Sequence, residues 1–232
     1  MFDRSAALYD AIYSFKNYAR EASLVDEWIH DLSRSSGRRL LDVACGTGEH
    51  LRYLRGKYEV EGLDLDDAML DVARRKHPDI LFHHADMTEF YLGRKFDAVV
   101  CLFSAVGYLK TVARLRQAIA AMARHLEPGG VLMVEPWLTP LSFHAGKLSS
   151  AFVDEPHLKV ARFAVSEVRE GLSIMEFHYL VTTLQETRCF TERHELALFT
   201  HEDYLGAIAA CGIKPVYDPE GPSGRGLYLG VG

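Results

Sequence analysis

The residues best placed to do chemistry fall in three short stretches, each at the end of an apolar run. Leu40-Leu41-Asp42-Val43-Ala44-Cys45-Gly46-Thr47-Gly48 is a strand pattern running into a glycine turn that opens a helix, where backbone without a Cβ can approach a ligand closely. Gly62-Leu63-Asp64 sets a carboxylate at the end of the next run, where it can accept hydrogen bonds from both hydroxyls of a ribose. Ala85-Asp86-Met87 follows a third run and offers an acid for an exocyclic amine beside an apolar residue for a purine face. Either acid alone reads as a helix or turn cap. The three features in register describe a site for a nucleoside without phosphates. The dinucleotide fingerprint wants a third glycine where this chain has Leu51, which disfavours a nicotinamide cofactor, and no Gly-Lys-Ser/Thr loop offers a cradle for a triphosphate.

Such stretches need strands to carry them and helices to follow. Near-helical spacing of Leu8, Ile12, Phe15, Ala22, Val25, Trp28, Ile29 and Leu32 predicts two N-terminal helices, ended by Ser35-Ser36-Gly37. Strands are predicted over 39–44, 59–63, 80–83 and 96–103, and helices over 48–57, 67–76 and 112–126. A Pro128-Gly129-Gly130 turn then leads to a strand over 131–135. Short apolar runs alternating with helices mean α/β architecture: a Rossmann-like parallel sheet with helices on both faces. From Trp137 the period changes. Strands over 160–168, 172–182 and 189–198 predict an inserted antiparallel sheet, after which a helix over 201–211 and strands over 213–217 and 227–231 return to the α/β pattern. The organisation is therefore a helical segment over 1–36, one domain made of 37–136 and 200–232, and an insert over 137–199.

With 232 residues, 48% hydrophobic and 25% charged, the chain can bury a full core. A net charge of −6 argues against a nucleic-acid surface, which needs clustered Lys and Arg. Cys45, Cys101, Cys189 and Cys211 form no Cys-x-x-Cys pair and suggest neither zinc nor a disulfide framework. Met1-Phe2-Asp3-Arg4 is not followed by the apolar stretch of a signal peptide, and the longest mainly apolar run, Ala98 to Leu109, is too short for a bilayer. The reading is a cytoplasmic protein without a membrane role. His83 and His84 are adjacent on a strand and point to opposite faces, so no metal site is expected. Glu192 and His194 share one face of a candidate strand, ordinarily a solvated or cross-paired one, and receive no role. Tyr9, Tyr13 and Tyr18 recur at roughly helical spacing and pack either on the domain or over a ligand.

The Asp-x-x-x-Gly-x-Gly form from Asp42 to Gly48 resembles the first motif of the class I S-adenosylmethionine-dependent methyltransferases. A closer resemblance covers nearly the whole chain, to the nucleotide-linked amino-sugar N,N-dimethyltransferases of desosamine- and mycaminose-type pathways. It rests on Leu8-Tyr9-Asp10, Lys16-Asn17-Tyr18, Asp42 to Gly48, Glu135-Pro136-Trp137, His178-Tyr179-Leu180-Val181, Leu198-Phe199-Thr200 and, most specifically, Gly221-Pro222-Ser223-Gly224-Arg225-Gly226-Leu227. The resemblance implies that Tyr18, Asp42, Gly46, Gly48, Asp64, Asp86, Met87 and Phe103 hold S-adenosylmethionine, leaving S-adenosylhomocysteine as product. It implies that Arg162 and Arg225 face a nucleotide diphosphate, with Trp137 in the acceptor site, that the N-terminal segment lies over the cofactor site, and that the insert pairs two subunits and walls the sugar-nucleotide pocket.

This chain departs from the family near the acceptor. Relatives often carry His at Tyr108, Ser at Ala105 and a second Trp at Leu138. Tyr108 and Glu135 are the candidates for ordering or deprotonating the acceptor, although a phenol is a poorer base than an imidazole at neutral pH. Small residues around Arg225 let its guanidinium reach a ligand, the alternative being a pair with Glu220. The expected reaction is methyl transfer to the amine of a nucleotide-linked amino sugar, which needs no metal. The alternatives are O- or carboxyl-methylation of another small molecule and, outside the class, a nicotinamide-dependent oxidoreductase or a non-catalytic cofactor-binding partner subunit.

Overall fold

The computed structural model describes residues 4–232, so the first three residues of the predicted N-terminal segment lie outside the described residues. After a single 3₁₀ turn, α1 (Tyr9–Ile12) and α2 (Tyr18–Leu32) make up that segment. Asn17 starts α2 by accepting the Arg20 N–H on its side chain. Then β1 (Arg39–Val43), α3 (Glu49–Leu54), β2 (Glu59–Asp64), α4 (Asp67–Lys76), β3 (Leu81–His84), β4 (Phe96–Cys101), α5 (Val112–Ala123) and β5 (Leu126–Val134) alternate. The insert is β6 (Leu148–Glu155), β7 (Leu158–Arg169), β8 (Leu172–Thr183) and β9 (Thr187–Ala197). Last come α6 (His201–Ala209), β10 (Val216–Asp218) and β11 (Leu227–Val231).

The main sheet runs β10-β11-β5-β4-β1-β2-β3, with β1 to β5 parallel and β11 and β10 antiparallel at one edge. β4 at its centre is buried throughout, and successive residues go to opposite layers. Leu41, Val99 and Leu132 join Leu115, Ile119 and Met122 of α5 and Ile208 of α6. Leu40, Ala98, Val100 and Val131 join Val25 and Ile29 of α2, Leu51 and Leu54 of α3, and Leu70 of α4. The chain winds outward from β1 through β2 to β3, and outward the other way from β4 to β5, so β1 and β4 flank the switch point. Loops leaving their carboxyl ends diverge there and open a crevice.

The four insert strands form a separate antiparallel sheet in sequence order. Val153, Val160, Tyr179, Val181 and Phe190 on its inner face pack on Leu8 and Ile12, so the insert roofs the N-terminal segment. Leu148, Phe152, Phe163, Val165 and Leu180 remain exposed, and the strand register sets them together on the outer face.

Three departures from the predicted elements bear on the fold. The insert has a strand the sequence did not predict, β6, whose Leu148-Ser-Ser-Ala-Phe-Val-Asp-Glu pattern is too polar to alternate visibly. Pro128-Gly129-Gly130 is an irregularity within β5 and not a turn before it: the register on β4 shifts there and Gly129 takes φ +81°. The predicted strand over 213–217 begins only at Val216, because Ile213 is buried against α5 and α6 in the core instead.

Candidate active site

A cavity of about 650 Å³ opens at the switch point, and its wall includes every predicted site residue except Gly48 and Glu135. Gly48 acts beneath it as the N-cap of α3 at φ +78°.

One half is built from the loops after β1, β2 and β3. Gly46 turns at φ +55°, and its N–H donates to Asp64 Oδ2 at 2.8 Å, while the Asp66 N–H donates to Asp64 Oδ1 at 2.9 Å. Asp64 therefore ties the glycine turn to the start of α4, and each oxygen keeps lone-pair capacity for a ligand. The turn-capping contacts expected of such an acid are thus present. Burial raises the Asp64 carboxyl against the pull of those N–H donors. Asp42 is 1% exposed, burial raises its carboxyl to about 7, and its Oδ2 has no hydrogen-bond partner among the described residues. Asp86 is more committed than its sequence position suggests: Oδ1 accepts the Thr88 N–H and hydroxyl, and Oδ2 pairs with Arg114 at 2.8 Å. Burial pushes that carboxyl up, but these donors outweigh it and hold it below its ordinary range. Met87, Ala85 and Leu65 supply apolar wall beside it.

A network that sequence reasoning missed closes this half. Glu21 accepts from His50 Nε2 at 2.8 Å and pairs with Lys16 at 2.9 Å. The Lys16 ammonium lies 3.7 Å from the centre of the Phe103 ring. Burial raises the Glu21 carboxyl, and the His50 and Lys16 hydrogen bonds more than reverse that. The partners lie far apart in sequence, and only Lys16, through Lys16-Asn17-Tyr18, stood out before the fold was known.

The other half is made of side chains from distant segments. Phe103 and Ser104 both take positive φ, +53° and +66°, turning the chain after β4 into the cavity. Arg225 Nη1 donates to Ser104 Oγ at 3.0 Å, and its guanidinium carbon lies 5.1 Å from both the Phe103 and the Trp137 ring centres. Trp137 is fixed by its indole N–H on Ser173 Oγ at 2.8 Å. The loop that aims Arg225 inward closes on itself, since a Cβ at Gly221 would sit 2.4 Å from the Gly226 carbonyl oxygen. Arg162 donates to the Tyr13 hydroxyl at 3.2 Å and lies 4.7 Å from the Phe177 ring centre. Tyr9, Tyr13 and Tyr18 all reach the wall.

The two candidates for handling the acceptor separate. Tyr108 lines the cavity, and its hydroxyl lies 2.7 Å from His194 Nδ1. Glu135 does not reach the wall. It is fully buried, with Oε2 accepting the Phe103 N–H at 2.6 Å and Oε1 accepting the Ser223 hydroxyl. Its position just after β5 puts it beneath the Phe103 turn and the Arg225 loop, which it joins. His194 and Glu192, given no role from sequence, are 2% and 8% exposed: His194 lines the cavity, and Glu192 is held under Ser5.

A model of the methyltransferase domain matches residues 40–130. Over 231 residues and 97% of each chain, the sequence is 44% identical to a dTDP-3-amino-3,4,6-trideoxy-alpha-D-glucopyranose N,N-dimethyltransferase of Streptomyces venezuelae. The fold matches the crystal structure of Streptomyces venezuelae DesVI with a TM-score of 0.92, 42% identity and 97% of both chains covered. It matches SAM-bound CalS10, an amino pentose methyltransferase from Micromonospora echinaspora involved in calicheamicin biosynthesis, with a TM-score of 0.87 and 41% identity over 97% of this chain and 96% of the other.

Proposed function

The chain belongs to the class I S-adenosylmethionine-dependent methyltransferases, among the sugar N-methylating enzymes, and from that premise we propose that it methylates the amine of a nucleotide-linked amino sugar. The donor suits the first half of the cavity. A Cβ at Gly46 would meet nothing within 4 Å, so the turn is open to a ligand, and among the described residues the buried Asp42 oxygen lacks a partner, which a cationic donor would supply. In this reading Asp64 takes the ribose hydroxyls, Met87 and Asp86 the purine, and Tyr18, Gly46, Asp42 and Phe103 the remainder. S-adenosylmethionine supplies an electrophilic methyl group on a sulfonium. The protein's own part is to bind, to exclude water and to present a neutral amine in line, so proximity provides much of the acceleration. No Lewis acid is needed, and the proposed reaction is metal-independent.

The observation that carries the acceptor assignment is the pair of half-buried arginines. Among the described residues neither Arg162 nor Arg225 pairs with a carboxylate; each rests on aromatic faces and donates to neutral hydroxyls. A desolvated guanidinium without an anion calls for one, and its planar fork suits a diphosphate. Arg225→Lys tests this. The variant should lose about 10-fold in kcat/KM on the nucleotide-linked amino sugar, the worth of one charge-assisted contact, and nothing on the same sugar without its nucleotide. Equal rates for both enzymes on both substrates would leave the acceptor unassigned.

The exposed apolar face of the insert supports a homodimer, since such a face seeks cover. The four free cysteines fit a reducing, cytoplasmic setting. Among the described residues no helix is long and apolar enough to cross a membrane.

A further inference from the structure

Methylating an amine raises a proton problem that the donor does not solve. Near neutrality an alkyl amine is held as its ammonium, which has no lone pair, and each methyl transferred to a neutral amine leaves a new N–H⁺ to be discharged. A second methylation needs that discharge first. The acceptor half must therefore hold a group that takes a proton.

Two imidazoles line the cavity, His50 and His194. His50 lies in the donor half, bound to Glu21. His194 lies on the inner face of β9 at the acceptor end, 2% exposed, with Nδ1 2.7 Å from the Tyr108 hydroxyl and Nε2 3.6 Å from Glu192 Oε2. Glu192 is anchored from the other side by Ser5, whose N–H and hydroxyl donate to its two oxygens at 3.1 and 2.7 Å. The three side chains thus form a chain of contacts that starts at the cavity wall: phenol, imidazole, carboxylate.

We propose that Tyr108, His194 and Glu192 form a proton relay that neutralises the acceptor's ammonium, with Tyr108 as the catalytic residue at the substrate and His194 and Glu192 as positioning residues behind it. The inference rests on the amine reading of the acceptor. In the step, the ammonium N–H bond breaks and its proton passes to Tyr108 Oη as the Tyr108 O–H proton passes to His194 Nδ1. The amine keeps the electron pair and can attack, Tyr108 ends as the neutral phenol it began as, and the imidazolium faces the Glu192 carboxylate. The proton then leaves to solvent, and the relay is reset for the ammonium formed by methylation.

The surrounding charges favour this order. Burial raises the Tyr108 hydroxyl well above its ordinary value, so a free phenolate is not the base and the phenol works only by giving up one proton while accepting another. Burial raises the Glu192 carboxyl, but the nearby His194 ring and the Ser5 hydrogen bonds outweigh it and hold the group below its ordinary range. The other titratable groups facing Tyr108 are Tyr9 and Tyr13 from the N-terminal segment, Tyr179 on β8 and Asp64 at the end of β2. Arg162 on β7 lies beside Tyr13 and Tyr179, and the Lys110–Glu195 pair sits at the outer edge. Burial raises Tyr9, and raises Tyr179 to about 12, so neither phenol competes as a base. Imidazole is the side chain that exchanges protons near neutrality without special tuning.

The test is the pH dependence of kcat/KM with a nucleotide-linked amino sugar, for the full-length protein and for Tyr108→Phe, His194→Gln and Glu192→Gln. With the relay, the acid limb lies below the pKa of the amine itself. Without it only the neutral fraction of free amine reacts, so Tyr108→Phe and His194→Gln should move the limb up to the amine's own pKa. The expected loss is about 100-fold at pH 6.5, in the range of general acid–base catalysis, shrinking to within about threefold once the solution deprotonates the amine. Glu192→Gln should give a smaller shift in the same direction. Calorimetric titration with S-adenosylhomocysteine identifies folded variants, and Tyr108→Phe, which removes one oxygen, keeps the test decisive if a β9 variant does not fold. Wild-type turnover with an acid limb unmoved in Tyr108→Phe would overturn the relay alone. No wild-type methylation of any amino sugar would overturn the amine reading and the relay with it.

Discussion

The two halves of the cavity are made in different ways. The donor half is assembled from consecutive strand ends, where backbone N–H groups and short carboxylates are placed by the sheet itself: Gly46 after β1, Asp64 at the end of β2, Asp86 after β3. The acceptor half has no such local rule. Phe103 and Tyr108 after β4, Trp137 after β5 and Arg225 before β11 meet Tyr13 of the N-terminal segment and Arg162 and His194 of the insert, which folds over that segment, across wide gaps in sequence. A half held by the sheet is hard to vary without losing the turn. A half held by side chains on several loops is where one fold can change its substrate.

If the donor half is one structural unit, its largest weakness is Asp64, which holds the glycine turn as well as lining the cavity. Asp64→Ala should weaken S-adenosylhomocysteine by about 1.5–3 kcal/mol, the loss expected for charged hydrogen bonds, as read by calorimetry. Binding unchanged within twofold would mean the turn is set without it.

Glu135 sharpens the comparison because it lies under the acceptor half without touching the cavity. Glu135→Ala leaves the buried Phe103 N–H unsatisfied and frees Ser223, and should cost about 1–3 kcal/mol of stability in denaturant titration. The acid limb that Tyr108→Phe is expected to move should stay put. A shifted limb in the Glu135 variant would return it to the reacting groups.

The smallest effect on chemistry should come from the insert's far side. Phe163→Glu puts a charge among Phe152, Val165 and Leu180 on the outer face and should dissociate a homodimer in sedimentation velocity while leaving cofactor affinity unchanged. A wild-type protein that is monomeric at roughly tens of micromolar, where ordinary association is detectable, would contradict the dimer.

The same contrast decides what was legible in the sequence. Asp42 to Gly48, Asp64 and Asp86 could be read because each follows an apolar run, and the order of runs fixes the order of strand ends. Arg225 could be read because glycine on both sides of it marks a backbone-bare loop. Glu135 could not be placed from the sequence, because an acid after a strand looks the same whether it faces a cavity or a buried turn. His194 and Glu192 were passed over because alternation along β9 shows that they share a face, and says nothing of what that face covers. β6 was missed for a related reason: its exposed serines and acids hide the period, and its one buried side chain, Val153, packs on a helix more than a hundred residues earlier.

The most direct test of the central account is to supply S-adenosylmethionine carrying a deuterated methyl group, together with a nucleotide-linked amino sugar, and to fragment the product by mass spectrometry. The account predicts labelled methyl on the sugar nitrogen, with S-adenosylhomocysteine formed in equal amount and turnover unchanged by prior treatment with EDTA. Label on a hydroxyl or carboxyl oxygen, or S-adenosylhomocysteine formed without any labelled sugar, would contradict it.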